Sequence, residues 1–399
     1  MSGLIALAVA YVLSQFYRSF LAVLTPQLTI ELGADKADLS LASGVWFISF
    51  AIMQFAVGVG LDRFGPRRTA ALIFGVAAAG GAFVFATAQS PTAVVIAMAL
   101  IGAGCSPVLM ASLFIFAQRF DARQFAVMTS SLVAFGNLGN VVGTSPLAAA
   151  AEAYGWRVVM AGLGGLSLLV AAAILILVRD PKVDAPSGAG LSGYITLMKS
   201  PVLWAIMIMT LLCYAPVAGI RGLWAGPYLT DLYTADSLLI GKVTLWMAMA
   251  MVAGSLAYGP LDKVFNTRKW VVFFGNFFVL LALLMFVFQP VPGITTATIL
   301  FIIIGLCGTS YGVVMAHGRS FLPPHLVGRG VTLINFCSIF GAGLMQFVTG
   351  SLVAAQPDSS SSLTYQVLFG SYAVLLTIAL LIYLTSKDAP PGTVAGQTR

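Results

Sequence analysis

Gly58-Val59-Gly60-Leu61-Asp62-Arg63-Phe64-Gly65-Pro66-Arg67-Arg68 closes one apolar run and opens the next. Four of its last seven residues are charged, in a chain where charged residues make up only 8%. Asp62 at a helix end can meet a neighbouring helix N-terminus and nearby arginines, while Gly58 and Gly65 permit close approach and a tight turn. Two hundred residues on, Pro260-Leu261-Asp262-Lys263 repeats Gly60-Leu61-Asp62-Arg63, and Arg268-Lys269 matches the basic pair Arg67-Arg68. Phe135-Gly136 has a counterpart in Phe340-Gly341. Self-similarity at about half the chain length implies a duplicated architecture.

The composition says what is duplicated. Of 399 residues 59% are hydrophobic, and the mean hydropathy is +0.98. Soluble domains carry roughly 25% charged residues, so this is the composition of a membrane protein. Apolar runs of about 20 residues, enough to span a bilayer, occur near 3–28, 40–61, 69–88, 92–117, 125–150 and 156–178. Six more occur near 202–229, 238–261, 270–289, 294–317, 329–354 and 363–386. Between the sets lies a polar stretch with Pro181 and Pro186, carrying a short surface helix near Tyr194 to Lys199. The expected fold is therefore all-α and polytopic, with twelve transmembrane helices in two pseudo-symmetric bundles. The N-terminal bundle covers 1–178, a cytoplasmic linker 179–200, the C-terminal bundle 201–386 and a cytoplasmic tail 387–399. Because the copies run in the same direction, the halves should be related by an axis along the membrane normal, with substrate between them near the midplane.

Loop charges set the orientation. With both termini in the cytoplasm, fifteen of the twenty Lys and Arg lie inside, from Arg63 to Arg399. Only Lys36, Arg157 and Lys242 lie outside, and Arg18 and Arg221 fall within spans. This asymmetry satisfies the positive-inside rule and explains the net charge of +7 without nucleic acid. The first apolar run lacks a basic leader and is too long for a signal peptide, so it is expected to remain as the first span of a multi-pass, monomeric inner (plasma) membrane protein. Cys105, Cys213, Cys307 and Cys337 fall inside apolar runs without paired spacing, which reads as thiols in helix packing rather than disulfides or metal ligands.

Arg18 and Arg221 are the polar residues that the rest must accommodate. An arginine at a helix centre costs roughly 2.5 to 3.5 kcal/mol on insertion scales, so one kept at mid-depth is expected to face a wet interior. Tyr11 and Arg18 recur as Tyr214 and Arg221, since 214 − 11 and 221 − 18 both equal 203. Helical spacing puts Tyr11, Ser14, Gln15 and Thr25 near the Arg18 face, and Tyr214, Trp224 and Tyr228 near that of Arg221. Guanidinium groups offer forked donors to phosphate or carboxylate oxygens. None of the thirteen acidic residues lies near the middle of an expected span, which favours an anionic substrate over a cation. Lacking a mid-membrane carboxylate to carry a proton, the chain is expected to work by anion exchange, with proton coupling on the substrate itself as the alternative. Asn137 and Tyr311 are further cavity candidates, while Gln54, Asn140, Asn335 and Gln346 more often join helices by hydrogen bonds.

The stretch from Gly58 to Arg68 resembles the loop signature between spans two and three of the major facilitator superfamily. The resemblance implies a transporter and a latch made by Gly58, Asp62, Arg63, Gly65, Arg67 and Arg68, with Asp262 in a degenerate second copy that departs at Phe265-Asn266. Within that superfamily, one arginine on span one and one on span seven resembles the organophosphate:phosphate antiporters, which implies that Arg18 and Arg221 hold a phosphate ester or carboxylate. Gly136-Asn137-Leu138-Gly139-Asn140 is similar to part of the nitrate transporter signature, but spans two and eight carry no arginine. Gly143-Thr144-Ser145-Pro146 does not complete the drug-antiporter pattern. Two alternatives remain: a drug or metabolite exporter, and an importer of a soft metal such as copper, for which Met247 and Met251, four apart on span eight, with Met249, Met207 and Met209, would be thioether ligands. No nucleotide loop, metal cluster or nucleophile-base pair suggests an enzyme or a cofactor.

Overall fold

The computed structural model describes residues 2–120, 122–180, 196–323 and 326–391, and every regular element among them is helical. Among the described residues ten helices are long and apolar enough to cross a bilayer: Lys36–Leu61, Arg63–Ala86, Pro91–Phe116, Trp156–Leu177, Pro201–Tyr233, Ser237–Val264, Lys269–Phe288, Ile294–Arg319, Gly330–Ala354 and Ser362–Tyr383. The first span is a bent pair, Ser2–Tyr17 and Leu21–Leu32, meeting at 52°. The fifth is Ala122–Val142 followed by Ser145–Tyr154, with Ser131–Val142 as its apolar part. The twelve expected apolar runs thus appear in order, the first and fifth broken. Of the short surface helix expected near Tyr194, only residues from 196 lie within the described part, and 196–198 are helical.

Helix ends follow local chemistry. Asp35 and Asp38 form a reciprocal capping box at the start of span two, Asp38 N donating to Asp35 Oδ1 at 2.7 Å. Ser90 caps span four with Pro91 behind it, and Ser361 caps span twelve. In a bilayer such ends matter more, because backbone groups left unbonded find no water.

The chain forms two compact units. The first comprises Met1–Ser187 with Gly222–Thr230 and Ala235–Lys242; the second comprises Gly188–Arg221, Asp231–Thr234 and Val243–Arg399. Glycine sets the close approaches within each. In the first, span five lies on span one where a Cβ on Gly136 would overlap the Tyr11 ring and one on Gly139 would overlap Val12 O. Span four meets span two where Gly102 faces Trp46 O. The second unit repeats both, with Gly341 of span eleven against Leu211 O of span seven and Gly305 of span ten against Met247 O of span eight. Duplicated helix contacts at small residues are what membrane packing favours, since backbones can then approach closely.

Candidate functional site

In the first unit, span one breaks at the arginine. Helix Ser2–Tyr17 ends one residue before Arg18, and the helix resumes at Leu21. Arg18 is therefore not in the unbroken helix that the apolar run suggests. Ser19 makes the break tolerable: its N–H donates to Phe16 O at 3.0 Å, and its Oγ lies 3.4 Å from both Gln15 O and Phe16 O. Carbonyls released by the broken helix are met locally, as serine does when it competes with helical bonding.

The Arg18 guanidinium carbon sits 5.4 Å from the Trp46 ring and 5.4 Å from the Phe50 ring. The rings are stacked, with centroids 5.3 Å apart and an interplanar angle of 22°. A cation over an aromatic face gains about 0.5–2 kcal/mol, more where water is excluded. Trp46 and Phe50 were missed in the sequence reading. Their signal was spacing: Trp46, Phe50 and Gln54 stand four apart on span two, one face of one helix, and Gln54 is buried too.

On the helix before Arg18, Gln15 Nε2 donates to Tyr11 Oη at 3.1 Å, both side chains buried. Gln15 Oε1 is buried without a hydrogen-bond partner among the described residues. Asn137 is half-buried on span five and accepts from Asn140 Nδ2 at 3.1 Å, so it holds a partner within its own helix.

Span seven is irregular around Arg221. Helix Pro201–Cys213 bends at Tyr214, resumes as Ala215–Gly219, widens into a π turn over Ile220–Trp224 and continues as Ala225–Tyr233. Pro216 and Pro227 lack an N–H and crowd the carbonyls of Leu212 and Leu223, four residues back, and widened turns relieve such conflicts. Arg221 is buried within the π turn, and Trp224 and Tyr228 are fully buried. Tyr214 is half-buried at the bend. The chain passes from the second unit to the first between Arg221 and Gly222. Elsewhere in the second unit Tyr311 Oη donates to Asn335 Oδ1 at 2.6 Å.

The methionines take packing positions. Met247 and Met251 are buried with their Cγ atoms 3.1 and 3.3 Å from where a Cβ on Gly305 would stand. They repeat, 201 positions on (247 − 46 and 251 − 50), the placing of Trp46 and Phe50 on span two, where Gly102 faces Trp46. Met207 lies in an apolar cluster with Leu197, Leu203 and Leu322, and Met249 faces outward. No group of three or more His, Cys, Asp or Glu suited to a metal occurs among the described residues.

Gly65 takes φ 78°, ψ 164°, a conformation open to glycine, and a Cβ there would lie 2.7 Å from Asp180 Cγ. Arg67 N donates to Asp180 Oδ1 at 2.8 Å, and Arg67 Nε donates to Leu175 O near the end of span six. Gly58 faces open space, so the close approach expected there belongs to Gly60, which meets Thr69. Arg63 and Arg68 are exposed, and the side chain of Asp62 lies outside the described residues. In the second copy Asp262 Oδ2 accepts from Arg268 Nε at 3.4 Å, and Arg268 Nη1 donates to Ser320 Oγ at 2.7 Å.

A second pair of carboxylates escaped the sequence reading. Asp388 accepts from Thr267 Oγ1, Lys269 N at 2.9 Å and Arg268 N at 3.2 Å, while Lys269 Nζ donates to Leu384 O and Ser386 O. Asp388 thus does for span nine what Asp180 does for span three. In each half a carboxylate just past the last span holds the first amides of the third, and a basic residue there holds the last span's end carbonyls. Burial raises the Asp388 pKa, but hydrogen bonds from Thr267 Oγ1 and the Lys269, Ala389 and Arg268 amides outweigh it and hold the group below the ordinary aspartate range.

Twelve spans in two repeated halves, with signature loops on corresponding hairpins, define a class of polytopic membrane transporters. The family model described as Major Facilitator Superfamily matches residues 7–223, and the chain belongs to that family. Among solved structures it is similar to a bacterial homolog of the human lysosomal transporter Spinster, inward-facing and occupied, at TM-score 0.78 and 18% identity over 96% of this chain and 95% of that one. It is similar to the nucleoside transporter NupG at TM-score 0.77 and 14% identity, over 95% and 99%. For the xylose transporter XylE from E. coli, the TM-score is 0.73 and the identity 15%, over 98% and 97%. A search of curated proteins by sequence finds no match.

Proposed function

We propose that this protein is a secondary active transporter that moves a small organic or phosphorylated anion across the inner membrane by alternating access, through anion exchange or coupled to a proton. Arg18 and Arg221 are its anion-binding residues, assisted by Tyr11, Gln15, Tyr214 and Trp224, with Asn137 and Tyr311 as outer members. The observation that carries this reading is that the two arginines each stand at an interruption of corresponding spans, the helix break after Tyr17 and the π turn Ile220–Trp224. Interrupted helices in matching positions of two repeats are the usual pointer to a transporter's binding site, because broken turns give up backbone groups and adjust to a ligand. Trp46 and Phe50 support it further, since their two aromatic rings flank the Arg18 guanidinium and favour its charge. The loop from Gly58 to Arg68 is assigned the cytoplasmic latch.

The test is counterflow in proteoliposomes. Vesicles preloaded with phosphate, phosphate esters or dicarboxylates should release a labelled anion much faster when a transported anion stands outside, and neutral sugars should not substitute. Equal efflux with and without external anion refutes exchange, and uptake of sugars with no anion uptake refutes the assignment of substrate class.

A further inference from the structure

A cavity of about 380 Å³ opens in the first unit where three helix ends meet, lined by Ser2, Gly3, Leu4, Ile115, Arg119 and the stretch Ile176 to Arg179. It lies at the end of spans one, four and six that carries the basic loops. Both polar walls are cationic. Arg119 Nη2 donates to Arg179 O at 2.9 Å, which aligns the two residues at the rim. Among the described residues neither guanidinium is paired with a carboxylate, since Asp180 is turned to the Arg67 amide. The first turn of helix Ser2–Tyr17 contains no acidic residue and adds its amide ends to the same wall. Leu4, Ile115, Ile176 and Leu177 contribute apolar side chains to the lining, and Ile176 is 74% exposed, so a hydrocarbon chain can pass out of the cavity along the outer face of span six.

We propose that this cavity binds the headgroup of an anionic phospholipid, its phosphate held by Arg119 and Arg179 at the start of span one and its acyl chain lying against Leu4, Ile115 and Ile176. A free phosphate ion would be served by the cations alone. The apolar side chains of Leu4, Ile115 and Ile176 and the lateral exit past Ile176 fit an amphiphile, and basic pockets between helix ends at the cytoplasmic face are where anionic headgroups collect. The proposal does not rest on the function assigned to Arg18 and Arg221.

The experiment is native mass spectrometry of the full chain released from nanodiscs of phosphatidylcholine with phosphatidylglycerol. Wild type should retain one phosphatidylglycerol. The double variant Arg119→Ala/Arg179→Ala should retain it on the order of 30-fold more weakly, from the worth of two cations near an anionic surface. A control of equal charge, Lys199→Ala/Lys263→Ala, and the site variant Arg18→Ala should both behave as wild type. Leu4→Phe, which narrows the cavity and leaves both arginines in place, should also lose the lipid. Unchanged retention in the double variant or in Leu4→Phe overturns the proposal. So does release of the lipid by millimolar inorganic phosphate, which would make this a site for the free ion.

Discussion

Substituting glycine by alanine separates two roles that look alike in sequence, and the structure assigns opposite signs. Gly139 lies where span five crosses span one, and a Cβ there would stand 2.9 Å from Phe16 N and Val12 C and closer still to Val12 O. Ordinary contact begins at 3.4 Å, so the helices must part by at least 0.5 Å (3.4 − 2.9) beside Tyr11 and Gln15. The obstacle is backbone, which cannot rotate aside, and overpacking of this kind costs about 1–3 kcal/mol. Gly162 and Gly165 of span six meet nothing within 4 Å. There alanine only removes glycine's excess backbone freedom and should stabilise by about 0.5–1 kcal/mol. Gly136 is intermediate, because its obstacle is the Tyr11 ring, a side chain that can be shortened. Melting temperatures of the purified protein should therefore fall for Gly139→Ala, rise or hold for Gly162→Ala, and fall for Gly136→Ala but recover when Tyr11→Leu is added. The same order should appear in counterflow rates for the span-five variants, since Tyr11 is displaced with the helix. A Gly139→Ala protein that melts with wild type, or a Gly136→Ala protein not helped by Tyr11→Leu, would refute the packing assigned to spans one and five.

Arg18→Lys and Arg221→Lys keep the charge but lose the fork; one charge-assisted hydrogen bond is worth about 1.5–3 kcal/mol, so anion affinity by isothermal titration should drop roughly 10- to 150-fold. Wild-type affinity in both variants would remove the site assignment. Asp388→Asn should lower stability at neutral pH by about 0.5–2 kcal/mol, the usual worth of a helix-start acceptor. Because the folded-state pKa of Asp388 lies below the ordinary aspartate value, its contribution is present above that value and is lost as the pH falls through the depressed folded-state pKa. Melts of wild type and Asp388→Asn should accordingly draw together as the pH falls below the ordinary aspartate range and stay apart at pH 7. Met247→Leu and Met251→Leu conserve volume over Gly305 and should leave counterflow unchanged, at less than about 1.5 kcal/mol in stability; copper-dependent uptake lost in both would revive the metal reading.

Twelve spans and their duplication were legible because the bilayer leaves the backbone so few options: an apolar run of sufficient length must be a helix. The repeat of Gly60 to Arg63 at Pro260 to Lys263 survived because the same hairpin is built twice, with a carboxylate from the segment past span six or span twelve holding each. That partner was not legible. Asp180 and Asp388 sit in polar stretches where nothing in the local pattern distinguishes a helix cap across 113 or 120 positions from a solvated charge. Trp46 and Phe50 were hidden for a related reason. On an apolar span an aromatic pair four apart is common core, and only the place of the neighbouring helix shows that it covers an arginine.

The breaks at the two arginines were the least visible feature, and hydropathy conceals them for a physical reason. Hydropathy sums side chains, while a helix break is a backbone event governed by single residues such as Ser19, Pro216 and Pro227. Read with that in mind, the sequence does mark both sites. Ser19 follows Arg18 and can satisfy the carbonyls that an interrupted helix releases; Pro216 and Pro227 bracket Arg221 and prevent regular bonding across it. The two halves reach one result by different means, hydroxyl in one and proline in the other. The outcome is repeated without repetition of the residues: each arginine stands beside an interruption of its helix. On the proposed function this has a use: an arginine on a regular helix is fixed to one face, whereas one at a break could follow a bound anion as the turn tightens or widens.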